Sequence, residues 1–226
     1  MLVYHGSYTM IDEIDLEKCR PNTDFGRGFY VTKYKHHAEN WAVKSGERHK
    51  TDGCVTVFNY IESSFTNYIC KKKYFNGYTE EWLDFIANNR NVDLAEQAHD
   101  FDIIEGPVAN DKVQNRLQFY LTGKISRNDF LEELTYHEET HQICFCTIAS
   151  LQTLKFIEKD LIVFIEQISE NILNSMIQEK NIEAELASDI FFTSKTFSII
   201  TDKKQEYYKK DWKEIYKMLQ KELDDE

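Results

Sequence analysis

Two short segments near the start of the chain combine polar rings with glycines. Tyr4-His5-Gly6-Ser7 offers an imidazole and a hydroxyl at a glycine break. Asp24-Phe25-Gly26-Arg27-Gly28-Phe29-Tyr30-Val31-Thr32 brackets a cation with two glycines ahead of a phenol. Glycine reaches backbone angles closed to other residues and lets a ligand approach the main chain. Such a set suits a pocket that hydrogen-bonds a ligand and stacks a flat ring. Arg20 and Arg27 suit an anionic group, because guanidinium matches phosphate oxygens in pairs. A different chemistry is written at His137-Glu138-Glu139-Thr140-His141, which satisfies H-E-x-x-H, the spacing that puts two zinc-binding histidines one helical turn apart. Its second histidine abuts the β-run Gln142-Ile143-Cys144-Phe145-Cys146, so the helix would have to end on its own ligand. Only Glu166 or Glu170 follows as a third ligand.

The elements that must position these residues are legible from periodicity. Leu2–His5, Phe29–Thr32, Cys54–Tyr60, Phe101–Ile104 and Gln142–Thr147 read as strands, which places His5, Tyr30 and Gln142 on rigid edges. Lys35–Lys44 reads as a helix with Trp41 on its inward face. Thr79–Asn88, Asp111–Leu121 and Arg127–Tyr136 are further helices, the first of them capped by Thr79 ahead of an acidic turn. Gly106-Pro107 through Asn110-Asp111 is a turn leading into a cap, and Lys71-Lys72-Lys73 reads as a solvated turn. Short strands interspersed with helices, without βαβ alternation, predict an α+β fold. From about Asp160 the pattern becomes purely helical, with Trp212, Ile215, Tyr216, Leu219 and Leu223 on one stripe. Two regions are expected: 1–158, mixed, and 159–226, all-α and packed against the first.

His5-Gly6-Ser7, the run Phe25 to Tyr30, and Trp41 eleven residues after Tyr30 together resemble the ADP-ribosyltransferase superfamily, in its diphtheria-toxin and poly(ADP-ribose)-polymerase branch. Cys19-Arg20-Pro21-Asn22 and Glu105-Gly106-Pro107 resemble a small bacterial, toxin-like family within it. The tail from Phe191 is similar to the short helical partner encoded beside such proteins. The resemblance implies a split β-sheet core and NAD as co-substrate. It implies that His5 bonds the adenosine-side ribose, that Gly6 and Ser7 meet the carboxamide, and that Tyr30 and Trp41 sandwich the nicotinamide. Arg20, Arg27 and Gly28 would lie along the diphosphate side. The third signature position falls on Gln142, where active members carry glutamate. Glutamine can bond a ribose hydroxyl but cannot take a proton, which fits an acceptor that needs little deprotonation, a base supplied by neighbours such as Glu138, Glu139 or His141, or a weak or inactive enzyme. The implied activity is mono-ADP-ribosylation of a macromolecular acceptor, protein or nucleic acid, by a toxin or defence effector. Residues 159–226 would act as an antitoxin in cis or as a recognition module. The alternatives are a catalytically silent NAD- or ADP-ribose-binding module and a zinc hydrolase working through His137 and His141.

Composition narrows the setting. With 39 acidic against 27 basic side chains the formal net charge is −12, and no basic stripe of the kind that tracks nucleic acid is visible. No apolar run is long enough to span a bilayer, and no leader pattern is seen, so a cytoplasmic protein is expected. The five cysteines, an odd number without C-x-x-C spacing, read as reduced thiols, several of them buried.

Overall fold

The computed structural model describes residues 1–61, 70–90, 98–109, 111–134 and 140–225. In chain order these form β1 (Leu2–Ser7), β2 (Phe29–Val31), α1 (Lys35–His49), β3 (Cys54–Tyr60), β4 (Lys72–Tyr74), α2 (Glu80–Asn89), β5 (Ile103–Gly106), α3 (Asp111–Leu121), α4 (Arg127–Leu134), β6 (Gln142–Phe145), α5 (Ile148–Leu151), β7 (Leu154–Ile157), α6 (Lys159–Lys180), α7 (Ala184–Thr193), α8 (Lys195–Ile200) and α9 (Trp212–Asp224). The class is α+β. One sheet has the order β1-β3-β7 and the other β2-β6-β5-β4; only β4 and β5 run parallel. An antiparallel bridge, Tyr4 opposite Thr32, links the two through main-chain bonds of 2.8 and 2.9 Å.

The period of two along each strand divides the core into layers. In β3, Val57 faces α6–α9 with Ile157, while Phe58 and Tyr60 face the second sheet, where they meet Val3, Phe29, Val31, Ile143 and Phe145. The far side of the second sheet packs Cys144 and Ile104 against Trp82, Leu83 and Ile86 of α2 and Val113, Leu117, Phe130 and Leu134 of α3 and α4. The first sheet is therefore an inner layer, and α6–α9 share a core with it.

Several expectations shift. α1 runs five residues past Lys44 and stops where Lys50 turns left-handed at φ 58°. It buries Ala38, Ala42 and Gly46, spaced one helical turn apart, rather than Trp41, which is 43% exposed. Small residues face inward because the helix lies directly on β1, where a side chain at Gly6 would collide with the carbonyl oxygen of Ala38. The basic run is an edge strand, not a turn: Lys72–Tyr74 pairs parallel to Ile103–Glu105. Charged side chains on such an edge discourage further strand pairing. The β-run after Gln142 stops at Phe145, because Thr147 caps α5 through a capping box with Ser150. Of the five free thiols only Cys144 is buried. Among the described residues no helix is long and apolar enough to cross a membrane.

Candidate functional site

The polar side chains of β1, β2 and β6 converge on one cavity of about 750 Å³, closed on its other side by α1 and by the segment around residues 13–20. Into it project His5, Gly6 and Ser7 from β1, Gly28 and Tyr30 around β2, Gln142 from β6, Trp41 from α1, and Arg20. Strand pairing fixes their relative places. Tyr30 lies opposite Cys144, Gly106 opposite Gln142, and His5 opposite Thr56.

His5 is held in one tautomer. Nδ1 lies 2.6 Å from the Tyr30 carbonyl oxygen, which can only accept, so Nδ1 carries the proton and Nε2 keeps a lone pair. Burial pulls the imidazole below its ordinary range, partly offset by that bond, so the ring is neutral at pH 7. Its face stacks on Phe29, with centroids 4.4 Å apart. The result is a fixed acceptor for a hydroxyl.

Tyr30 is anchored by its phenol. The hydroxyl donates to Gly26 O at 2.8 Å, accepts from the Phe25 amide at 2.9 Å and meets Thr23 Oγ1 at 2.7 Å. Burial pushes the phenol well above its ordinary range, so it stays protonated. Gly26 has φ 77°, a left-handed angle that lets its carbonyl turn back toward the phenol. The phenol thus fastens the glycine loop, and the ring itself is what lines the cavity.

Gln142 is 8% exposed and its amide orientation is determined by its neighbours. Nε2 donates to Asp24 Oδ2 at 2.9 Å and to the Pro107 carbonyl at 3.2 Å. Both partners only accept, so the nitrogen must face them, leaving Oε1 as the atom free to accept from a ligand. Asp24 is in turn fixed by Arg90, through Nε at 2.8 Å and a short ion pair to Nη2, and by the Ala109 amide at 2.8 Å.

The two arginines part company. Arg20 is exposed at the cavity and takes no partner among the described residues. Arg27 does not line the cavity: its Nη1 donates to the carbonyls of Glu17 and Cys19, both at 2.9 Å, and ties the short 3-10 turn at residues 16–18 to the glycine loop. Lys44 and Arg48, one and two turns beyond Trp41, supply cations to the wall instead, and Lys44 Nζ lies 5.5 Å over the Trp41 ring. Ser7 is buried at the cavity edge.

A second polar cluster touches the same cavity. His141 Nε2 lies 2.8 Å from Glu105 Oε1, and Lys33 Nζ lies 3.7 Å from that oxygen. Burial opposes ionisation of Glu105, but the bond and charge from His141, with the charge of Lys33, hold its carboxyl below its usual range. His137, Glu138, Glu139 and Asn110 lie outside the described residues. Both ring nitrogens of His141 face protein partners, and Glu166 is paired with Lys35 at 2.8 Å. Among the described residues no three His, Cys, Asp or Glu groups converge on a metal-sized site.

Asp24, Arg90, Glu105 and Lys44 carry no expected role in the sequence reading. Asp24 and Glu105 stand inside the segments that bear the resemblance, which was a usable signal. Arg90 is 66 positions from Asp24 and had none.

Residues 1–156 match a family described as a protein of unknown function, DUF3990. The chain belongs to this family. The match ends in β7, so every described residue that lines the cavity lies within the DUF3990 region, and α6–α9 lie beyond it. No curated protein and no solved structure matches the chain.

Proposed function

We propose that this DUF3990 protein is an NAD-dependent mono-ADP-ribosyltransferase acting on a macromolecular acceptor, with release of nicotinamide. The observation that carries the reading is convergence: His5, Tyr30 and Gln142, on three different strands, line one cavity with Trp41 across from them. The residues present fit the dinucleotide. A neutral His5 with a free Nε2 accepts from a ribose hydroxyl, and Gln142 Oε1 accepts from another. Trp41 and the Tyr30 ring give aromatic faces that tolerate a cationic ring. Arg20, Lys44 and Arg48 supply charge for a diphosphate; Arg27 is not needed for it. Nicotinamide departure leaves an oxocarbenium-like centre. In this site the chain binds, orients and excludes water rather than supplying a nucleophile of its own. The toxin or defence role implied by the resemblance belongs to the same proposal.

The test is saturable NAD binding by calorimetry, together with nicotinamide release in the presence of a cell lysate, for wild type and Trp41→Ala. Release that requires lysate and weakens in the variant supports a transferase. Absence of both binding and release by the wild type overturns the reading. A second reading, an NAD-binding module without turnover, is favoured by one observation: the side chain at 142 cannot take a proton, and its amide is committed to Asp24. Binding without release selects it.

A further inference from the structure

Several groups that can take a proton line the cavity, among them His5, Glu13, Asp15 and His141, and of these four it is His141 that adjoins Gln142, the position where active members carry glutamate. We infer that His141, oriented by Glu105, is the general base that deprotonates the acceptor nucleophile, in place of the carboxylate missing at position 142; the inference rests on the transferase reading above. His141 immediately precedes Gln142, lines the cavity beside Thr140, and has a side chain only 10% exposed. Glu105 sits on the neighbouring strand, one register step from the Gly106–Gln142 pair.

The proton inventory of the ring follows from its partners. An ionised carboxylate only accepts, so the 2.8 Å contact makes Nε2 the donor, and in the neutral ring the lone pair then lies on Nδ1. The sole hydrogen bond to Nδ1 among the described residues comes from the Lys33 amide at 3.5 Å, near the limit at which such a contact counts as a bond. A nucleophile entering beside Thr140 can displace it. The order carboxylate, imidazole, substrate is that of a base whose ring is held by a third group. Glu105 is a positioning residue, and His141 the catalytic one.

The step balances. The acceptor O–H proton moves to Nδ1, and the freed oxygen pair forms the bond to the ribose anomeric carbon. The bond from that carbon to the nicotinamide nitrogen breaks with its pair on the nitrogen, and the imidazolium later sheds its proton to water. A base at this point has a purpose only for an acceptor that arrives protonated. A carboxylate is already ionised at neutral pH and needs no base, and the acceptor class inferred among those that arrive protonated is the hydroxyl-bearing one. Lys33 and Tyr34, both exposed, flank His141, the Tyr34 ring edge-on with centroids 5.6 Å apart.

The experiment uses the full chain. Nitrogen-15 NMR of its histidines should show the His141 ring with the proton on Nε2, and Glu105→Leu should redistribute it toward Nδ1. A predominantly Nδ1-protonated wild-type ring overturns the inference without any variant having to fold. With labelled NAD and lysate, His141→Ala should lower transfer about 100-fold while the KM for NAD stays within about threefold, and added imidazole should restore part of the loss. The wild-type linkage should survive neutral hydroxylamine, which cleaves esters of carboxylate acceptors. Unchanged turnover in His141→Ala, or a hydroxylamine-labile product, sinks the base assignment while leaving the transferase reading intact. Absence of any NAD cleavage by the wild type sinks both.

Discussion

From the resemblance alone, replacing Gln142 by glutamate should restore an active enzyme; the structure predicts that it destabilises the fold instead. The amide nitrogen lies 2.9 Å from Asp24 Oδ2 and 3.2 Å from the Pro107 carbonyl, in a site only 8% exposed. In Gln142→Glu an oxygen faces two acceptors. Two full charges at that separation repel by about 6 kcal/mol at an effective dielectric of about 20, before Arg90 offsets part of it. The protein has a cheaper course, which is to protonate the new carboxyl. At pH 7 that costs about 3.7 kcal/mol, taking about 4.3 as the unfolded pKa and about 1.4 kcal/mol per pH unit. The smaller term sets the ceiling, so a loss of about 2–4 kcal/mol is expected at pH 7. For a chain of this length that is a fall in Tm of roughly 5–15 °C.

The sign is diagnostic. The new carboxyl has a folded-state pKa raised above its unfolded value. Its destabilising effect is therefore absent below the unfolded pKa and grows as pH rises toward the folded one. At pH 5 the protonation cost has shrunk to about 1 kcal/mol, so the difference in Tm from wild type should narrow to about 2–4 °C. The double variant Asp24→Asn/Gln142→Glu reverses the pair, keeps one carboxylate for Arg90, and should recover most of the loss at pH 7. Differential scanning fluorimetry at the two pH values decides the matter. An equal loss at both values would mean misfit rather than charge, and no loss at pH 7 would mean that the amide does not face Asp24.

Three further outcomes are expected. Trp41→Ala should leave Tm within about 1 °C of wild type, since the ring is 43% exposed, while weakening NAD about tenfold by calorimetry. Arg27→Ala should lower Tm by a few degrees through the lost bonds to Glu17 and Cys19 and leave NAD affinity unchanged. Arg20→Ala should do the reverse, and the same two assays on both variants separate the roles. Asp24→Ala leaves Arg90, the Ala109 amide and the Gln142 amide without their carboxylate, so chemical denaturation should register a loss of about 3 kcal/mol or more.

The strands that carry His5, Tyr30 and Gln142 were legible because each is a short apolar run broken by glycine or a polar residue, and local pattern is enough to locate such a run. Trp41 was placed correctly in a helix but on the wrong face. Hydrophobic size is the usual guide to the inward side, and here the inward side is Ala38, Ala42 and Gly46, chosen by the closeness of β1 rather than by apolar mass. A cation between glycines, as at Arg27, has the look of a ligand group. Which carbonyls lie within its reach is a property of the folded loop, invisible in the spacing. The Asp24–Arg90 pair and the Glu105–His141 pair join residues 66 and 36 positions apart, and no periodicity reports contacts at such distances.

The same reasoning constrains what residues 159–226 can be. A removable antidote should cover the cavity with a surface that has its own core. Here no described residue beyond Gln142 lines the cavity, and the buried Leu161, Ile165, Ile172, Phe191 and Leu219 share one hydrophobic core with Val57 and Ile157 of the first sheet. Cutting near Asp160 would uncover that face of β1, β3 and β7. Each fully buried side chain of this type contributes about 1.5–3 kcal/mol, so a few of them equal the whole stability of an ordinary domain. Residues 1–158 alone should therefore be insoluble, and should return to the soluble fraction when 159–226 is co-expressed as a separate chain. A soluble, cooperatively melting fragment 1–158 would refute the shared core and revive the detachable antidote. With the shared core, any activity lost on truncation reports loss of folding, and the proposed restraint in cis has to be sought in point variants on the surface of α6–α9 that leave Tm unchanged.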